Sequence, residues 1–168
     1  MANHSTKNIM NNQLQFTPII AGDVNQLMPI ENDCHSHPWT EKTFSSCIGG
    51  RYFGEKLTDV TDDKQKELEK IIGFYVGEYV VDEATLMDIC VVPNEQGKGL
   101  GKKLLQQFIQ QAKSKGAIKL WLEVRAKNIN AQMLYMNAGF IEISRRTGYY
   151  PSSKGFGYED AIVMSLKI

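Results

Sequence analysis

Met87-Asp88-Ile89-Cys90-Val91-Val92-Pro93, then Gln96-Gly97-Lys98-Gly99-Leu100-Gly101, reads as an apolar strand that runs into a glycine-rich turn at the start of an amphipathic helix. Glycines at alternate positions let the backbone turn tightly and gather several N–H groups where a helix begins. The unpaired donors and the positive dipole end there favour an anion. Lys98, Lys102 and Lys103 add cationic side chains beside this cradle, which suits a pyrophosphate. Two familiar phosphate motifs fail on spacing. A dinucleotide fingerprint needs its third glycine where Lys102 stands, and a Walker loop needs four residues before Gly-Lys with Ser or Thr after it. A bare strand-to-helix turn remains the simpler use of any single glycine pair.

Outward from this stretch the pattern continues on both sides. Ile71 to Val81 and Ala84 to Val92 read as antiparallel strands joined at Asp82-Glu83. Leu100, Leu104, Leu105, Phe108, Ile109 and Ala112 form one helical stripe that Gly116 ends. Ile118 to Val124 alternates as a strand, Asn130 to Asn137 is a helix closed by Gly139, and Phe140 to Ile143 and Asp160 to Lys167 read as closing strands. Upstream, Asp23 caps a helix from Val24 to Glu31, a loop holds Cys34-His35-Ser36-His37-Pro38-Trp39, and Thr40 caps a second helix before Gly49-Gly50. The charged run Thr58 to Lys70 reads as a surface insertion, an extended hairpin loop. Strand, phosphate loop, helix, strand, helix, strand gives a mixed sheet with helices on its faces, α+β in class, with the glycine loop in a βαβ crossover.

The chain has 168 residues, enough for one good core, and the expected organisation is a flexible leader over 1–13 and a single domain over 14–168, with Met10 or a neighbour as the start of the ordered part. Lys plus Arg and Asp plus Glu number 19 each, so no global charge steers the chain to nucleic acid or anionic membranes. No apolar run has the length of a spanning helix or the pattern of a signal peptide, which points to the cytoplasm. Cys34, Cys47 and Cys90 are odd in number and form no Cys-x-x-Cys pair, and are expected as free thiols, Cys90 as a packing group in its strand. Cys34, His35 and His37 lie within four residues and cannot all reach one zinc without ligands from elsewhere, so no metal site is expected.

Glu123 shares its strand face with Lys119 and Trp121 in what should be the middle of the sheet, so its carboxylate should be partly buried. Burial favours the protonated carboxyl and makes a usable proton acceptor near neutral pH, whereas Lys119 or Arg125 could instead tie Glu123 into a salt bridge. Tyr135 lies on the helix after that strand's carboxyl end, where ligands collect in open α/β sheets. As a phenol it can donate a proton to a thiolate, and as a helix aromatic beside Leu134 it can simply pack.

Leu122-Glu123-Val124-Arg125-Ala126-x-Asn128, then Ala131-x-x-Leu134-Tyr135-x-x-x-Gly139-Phe140, behind the Gln96-to-Gly101 loop, resembles the GNAT acetyltransferase superfamily. Pro38-Trp39-Thr40-Glu41-Lys42-Thr43-Phe44, Asp82-Glu83-Ala84-Thr85-Leu86, Arg145-Arg146, Tyr149-Tyr150-Pro151 and Glu159-Asp160-Ala161-Ile162 narrow the resemblance to the bacterial ribosomal-protein-alanine N-acetyltransferases of RimI type, from about Leu14 to the C-terminus. Thr147-Gly148 is one residue longer than that family's usual spacer, and the segment Ser152 to Tyr158 is longer too.

The resemblance implies a GNAT fold with a mostly antiparallel sheet splayed around acetyl-CoA. By position, Ile89, Cys90 and Val91 match the backbone contacts to pantetheine, and Gly97, Lys98, Gly99, Leu100, Gly101 and Lys102 match the pyrophosphate loop. Asn128 matches a further cofactor contact, Glu123 the proton acceptor and Tyr135 the proton donor. Trp39, Tyr149 and Tyr150 are candidate walls of a peptide groove. The implied acceptor is the N-terminal alanine of a small-subunit ribosomal protein, with no direct nucleic-acid or membrane partner. The alternatives are a GNAT enzyme acting on a lysine side chain or small amine, and an acyl-CoA-binding module without turnover.

Overall fold

The computed structural model describes residues 12–63 and 66–168. The expected start at Met10 and the first eleven residues of the leader lie outside the described residues, whereas Asn12 and Gln13 already belong to the first strand. In chain order the elements are β1 (Asn12–Pro18), α1 (Val24–Cys34), α2 (Glu41–Ser46), β2 (Tyr52–Asp63), β3 (Lys66–Val80), β4 (Glu83–Val91), α3 (Leu100–Ser114), β5 (Lys119–Arg125), α4 (Ile129–Asn137), β6 (Ile141–Pro151) and β7 (Tyr158–Lys167). They build one seven-stranded sheet in the order β1-β2-β3-β4-β5-β7-β6. Every pairing is antiparallel except β4 with β5, which α3 connects.

Each face of the sheet has its own core. Leu100, Leu104, Leu105, Phe108 and Ala112 of α3 pack on Leu57, Tyr75, Leu86, Leu120 and Leu122, and Tyr135 of α4 joins that cluster. On the opposite face Val24 and Leu27 of α1 and Phe44 of α2 pack on Phe74, Val76 and Cys90. The helix starts have visible causes. Thr40 Oγ1 accepts from Thr43 N at 3.1 Å at α2, and Asn128 Oδ1 accepts from Ala131 N at 3.1 Å at α4. Asp23 stands at the N-cap of α1 but caps nothing there; its carboxylate accepts from Ile20 N and pairs with Lys56.

Two irregularities place the site. The register of β3 on β4 passes from Val76↔Asp88 to Gly77↔Leu86, so Met87 is an extra residue on β4. That bulge flips the alternation of the strand: Ala84 and Leu86 face α3, whereas Cys90 faces α1 and α2. The parallel ladder of β4 with β5 ends at Leu86↔Leu122, and from Met87 onward β4 pairs with β3 and not with β5.

Three expectations are corrected. Thr58 to Lys70 is not a loop, because β2 and β3 continue as a paired ribbon as far as Asp63↔Lys66, and main-chain pairing does not require apolar side chains. Arg145 to Pro151 belongs to β6, whose register jumps from Arg146↔Ala161 to Tyr150↔Glu159, so the longer spacer is absorbed as a bulge that includes Gly148 at φ 60°. Cys34 and Cys90 are not free thiols but a disulfide that ties the end of α1 to β4, leaving Cys47 as the free cysteine. The bridge spans a sequence separation of 56, which in a chain-entropy account stabilises the fold by roughly 4 kcal/mol.

The β3–β4 turn carries strain, because Val81 has φ 59°, a region that a β-branched residue enters at a cost of about 1–2 kcal/mol. Its side chain is 83% exposed and packs little in return. Val81→Asn is expected to stabilise the protein by about 1 kcal/mol, read as a melting temperature a few degrees higher. Thiol titration of the denatured chain is expected to count Cys47 before reduction and all three cysteines after it.

Candidate active site

Where β4 and β5 part, a cleft of about 960 Å³ opens between them. Its walls include Ile89 and Val91 of β4, Glu123 of β5, Gly97, Gly99, Leu100 and Gly101 of the glycine turn, and Asn128 and Tyr135 of the second crossover. Of the expected cofactor residues, Cys90 turns its side chain to the opposite core and reaches the strand edge only through its main chain. Lys98 and Lys102 are exposed beside the turn, outside the cleft wall.

The glycine turn has the geometry of an anion cradle. Gly97 and Gly99 have φ 76° and 79°, and a Cβ at either would meet no neighbour, so backbone conformation and not crowding requires glycine there. Gly99 is the N-cap of α3 and supplies no side-chain cap. The helical ladder opens with Lys103 N donating to Gly99 O at 3.2 Å, so the preceding N–H groups at the helix start have no acceptor within the helix. Gln96 Nε2 donates to Val91 O at 3.0 Å and ties the turn to the end of β4, and Lys98 pairs with Glu95 at 2.8 Å.

Leu122 and Val124 face α3, so Glu123 between them projects from the face that carries α1 and α2, immediately past the last β4–β5 pair. Its side chain is 26% exposed. Neither Lys119 nor Arg125 pairs with it. Lys119 lies 4.0 Å over the Trp121 ring, and Arg125 turns to Pro151 O at 2.7 Å, to Glu159 at 3.5 Å and over the Tyr150 ring at 4.5 Å. The partner is Arg146 of β6, with Nη2 at 2.9 Å from Glu123 Oε1. Tyr135 is buried, packs edge-on to Phe140 at 6.1 Å, and reaches the cleft. Burial first, and then the negative charge of Asp88, push its phenol above the ordinary tyrosine range, so it stays protonated.

On the acceptor side, Tyr150 lines the cleft and burial, followed by the charge of Glu123, pushes it up to about 12. Tyr149 stands outside the cleft wall, edge-on to Tyr150 at 5.0 Å and under Arg146 at 5.1 Å. Trp39 lines the cleft, and its N–H donates to Glu31 Oε1 at 2.8 Å. Glu31 and Asp88 also line the wall and were given no role from the sequence, and His35, weighed there only with Cys34 and His37, stands beside them. Glu31 is pushed up to about 7 by burial and then by Asp88. Burial opposes the charged form of His35, but its bond to Asp88 and the charges of Asp88 and Glu31 raise it above the usual histidine value. The spacing of Glu31 and His35, four apart at a helix end, was the available signal. Asp88 inside an apolar strand was another.

The sequence model of the "Acetyltransferase (GNAT) family" matches residues 24–140. The "[Ribosomal protein bS18]-alanine N-acetyltransferase" of Salmonella typhimurium is 44% identical over 139 residues, covering 83% of this chain and 87% of that protein. The corresponding Haemophilus influenzae protein is 43% identical over 150 residues, covering 89% and 96%. Among solved structures, the ribosomal-protein-S18-alanine N-acetyltransferase from Escherichia coli superposes with a TM-score of 0.80 at 38% identity, covering 93% of this chain and 94% of that one. Family match, relatives and the splayed sheet agree, and the chain belongs to the GNAT acetyltransferase family.

Proposed function

We propose that this protein transfers an acetyl group from acetyl-CoA to the α-amine of an N-terminal alanine on a small-subunit ribosomal protein, in the cytoplasm, as a single acetyltransferase domain. The observation that carries the reading is the convergence of Glu123, Tyr135 and Tyr150 on one cleft beside the uncapped start of α3. The names of relatives at 43–44% identity supply the acceptor.

In this reading the pyrophosphate sits on the turn from Gly97 to Gly101, with Lys98 and Lys102 neutralising charge from outside, and Asn128 contributes a further contact. Pantetheine runs along the main chain of Ile89, Cys90 and Val91, which β5 leaves unpaired. An α-amine, with an ordinary pKa of about 7.7–8.0, loses its proton to Glu123 through a water. The amine then attacks the thioester carbonyl carbon, the C–S bond breaks as the sulfur takes the Tyr135 proton, and the acylated nitrogen gives up its second proton to water, from which the phenolate is reprotonated. So weak an acid as Tyr135 donates only as negative charge builds on the sulfur. Trp39, Tyr149 and Tyr150 flank the entering peptide, and Arg146 fixes the Glu123 carboxylate. Neither nucleic acid nor a membrane takes part.

Intact mass after incubation with acetyl-CoA is expected to show one acetyl added to a peptide beginning Ala-Arg-Tyr-Phe, and none on the same peptide with a blocked N-terminus and an added lysine. Acetylation of the lysine would move the acceptor to a side chain, and no transfer to either peptide would favour a small amine or binding without turnover. Glu123→Gln and Tyr135→Phe are each expected to lower kcat/KM by on the order of 100-fold or more while keeping acetyl-CoA affinity, measured by calorimetry. Full activity in either variant removes the role assigned to that residue.

A further inference from the structure

Glu31 lies in the last turn of α1 and His35 is the extended C-cap residue that follows, its N–H bonded back to Glu31 O, and β4 brings Asp88 against them after its bulge. His35 Nε2 lies 2.9 Å from Asp88 Oδ1 and 3.4 Å from Glu31 Oε2. All three ligand atoms fall within 4.8 Å of one another. Tetrahedral coordination at bond lengths of 2.0–2.2 Å has edges of about 3.3–3.6 Å, so small side-chain adjustments bring the set into range.

The buried oxygens point the same way. The Glu31 and Asp88 side chains are 1% and 5% exposed, yet among the described residues Glu31 Oε2 and Asp88 Oδ2 have no hydrogen-bond partner, the first having only the 3.4 Å ion-pair approach of His35. Two buried carboxylates beside one imidazole leave oxygen lone pairs unused, an arrangement that an ion completes. Cys34, the neighbour of His35, is bridged to Cys90, so the donors in reach are nitrogen and oxygen. All three residues also line the cleft, which leaves room for water to fill further coordination positions.

We propose that Glu31, His35 and Asp88 form a binding site for a divalent transition-metal ion of the zinc class, held by one nitrogen and two carboxylates and open to the acceptor side of the cleft. The sequence expectation of no metal weighed only Cys34, His35 and His37. The ligand set here keeps His35 from that loop and takes the others from α1 and β4.

The test titrates zinc sulfate into the full chain, stripped of metal by a chelator and kept unreduced, near neutral pH by calorimetry. The expected result is one ion per chain, bound about tenfold or more weaker by Asp88→Asn and by His35→Gln, with His37→Gln and Cys47→Ala unchanged. Cobalt is expected to give visible bands of a nitrogen and oxygen environment, without thiolate charge transfer. Melting curves without metal identify variants that fold, and one folded variant of the two suffices for the comparison. Absence of stoichiometric binding, binding retained in the folded variants, or a cobalt–thiolate band would each overturn the site, the first leaving a proton shared between the two carboxyls. Because the readout is metal binding, it stands apart from the acetyl-transfer assay.

Discussion

The structure turns on the point where the parallel ladder between β4 and β5 ends, at Leu86 and Leu122. Up to that pair the two strands share hydrogen bonds and one core; past it they diverge. A strand edge inside a sheet leaves main-chain groups that need partners, and an extended ligand can supply them. The bulge at Met87 coincides with the divergence and reverses which residues of β4 face α3. Without that reversal Asp88 would lie on the face that packs α3. With it, Asp88 and Glu123 lie on the same face, one on each side of the cleft. A single extra residue in one strand therefore sets both the opening and the side chains that look into it.

Much of the frame was legible because it is local. The stripe from Leu100 to Ala112, the Thr40 start and the alternation of β5 each follow from residues within a few positions, and the structure has them; the cap of α4 at Asn128 was not read. The misreadings came from long-range pairing. A charged strand such as Thr58 to Asp63 looks like loop until its partner is known, because its ladder is made by main-chain groups that every residue carries. The Cys34–Cys90 bridge joins residues 56 apart, and nothing in their spacing predicts the contact.

The site shows the same division. The glycine turn could be located from its own residues, whereas the choice of partner for Glu123 could not. Lys119 and Arg125 were its sequence neighbours, but Lys119 is drawn over Trp121 and Arg125 by Glu159 and Pro151 across the strands. Arg146 reaches Glu123 because β6 lies beyond β7 at the sheet's edge. Glu31 and Asp88 each left a local signal, but their meeting could not be read for a related reason: a helix end and a bulged strand come together only after folding.

Chain neutrality hides a polarised cleft. Lys98, Lys102 and Lys103 gather around the helix start where phosphate would bind, with Lys98 partly offset by Glu95. At the acceptor side stand Glu31, Asp88 and Glu123, and the nearby guanidiniums are already engaged, Arg146 by Glu123 and Arg125 by Glu159 and the Pro151 carbonyl. An anionic donor and a cationic acceptor therefore meet complementary ends of one channel. Since solvent and salt screen charges beyond about 10 Å, the separation matters more than the sum of zero. Burial acts against charge at the acceptor end, pushing Glu31 up to about 7, and the raised His35 offsets Asp88, so Glu123 is the least buried of the three carboxylates there. The fold thus sets carboxylates held by His35 and Arg146 on the side where an amine enters, and backbone donors flanked by exposed lysines on the phosphate side.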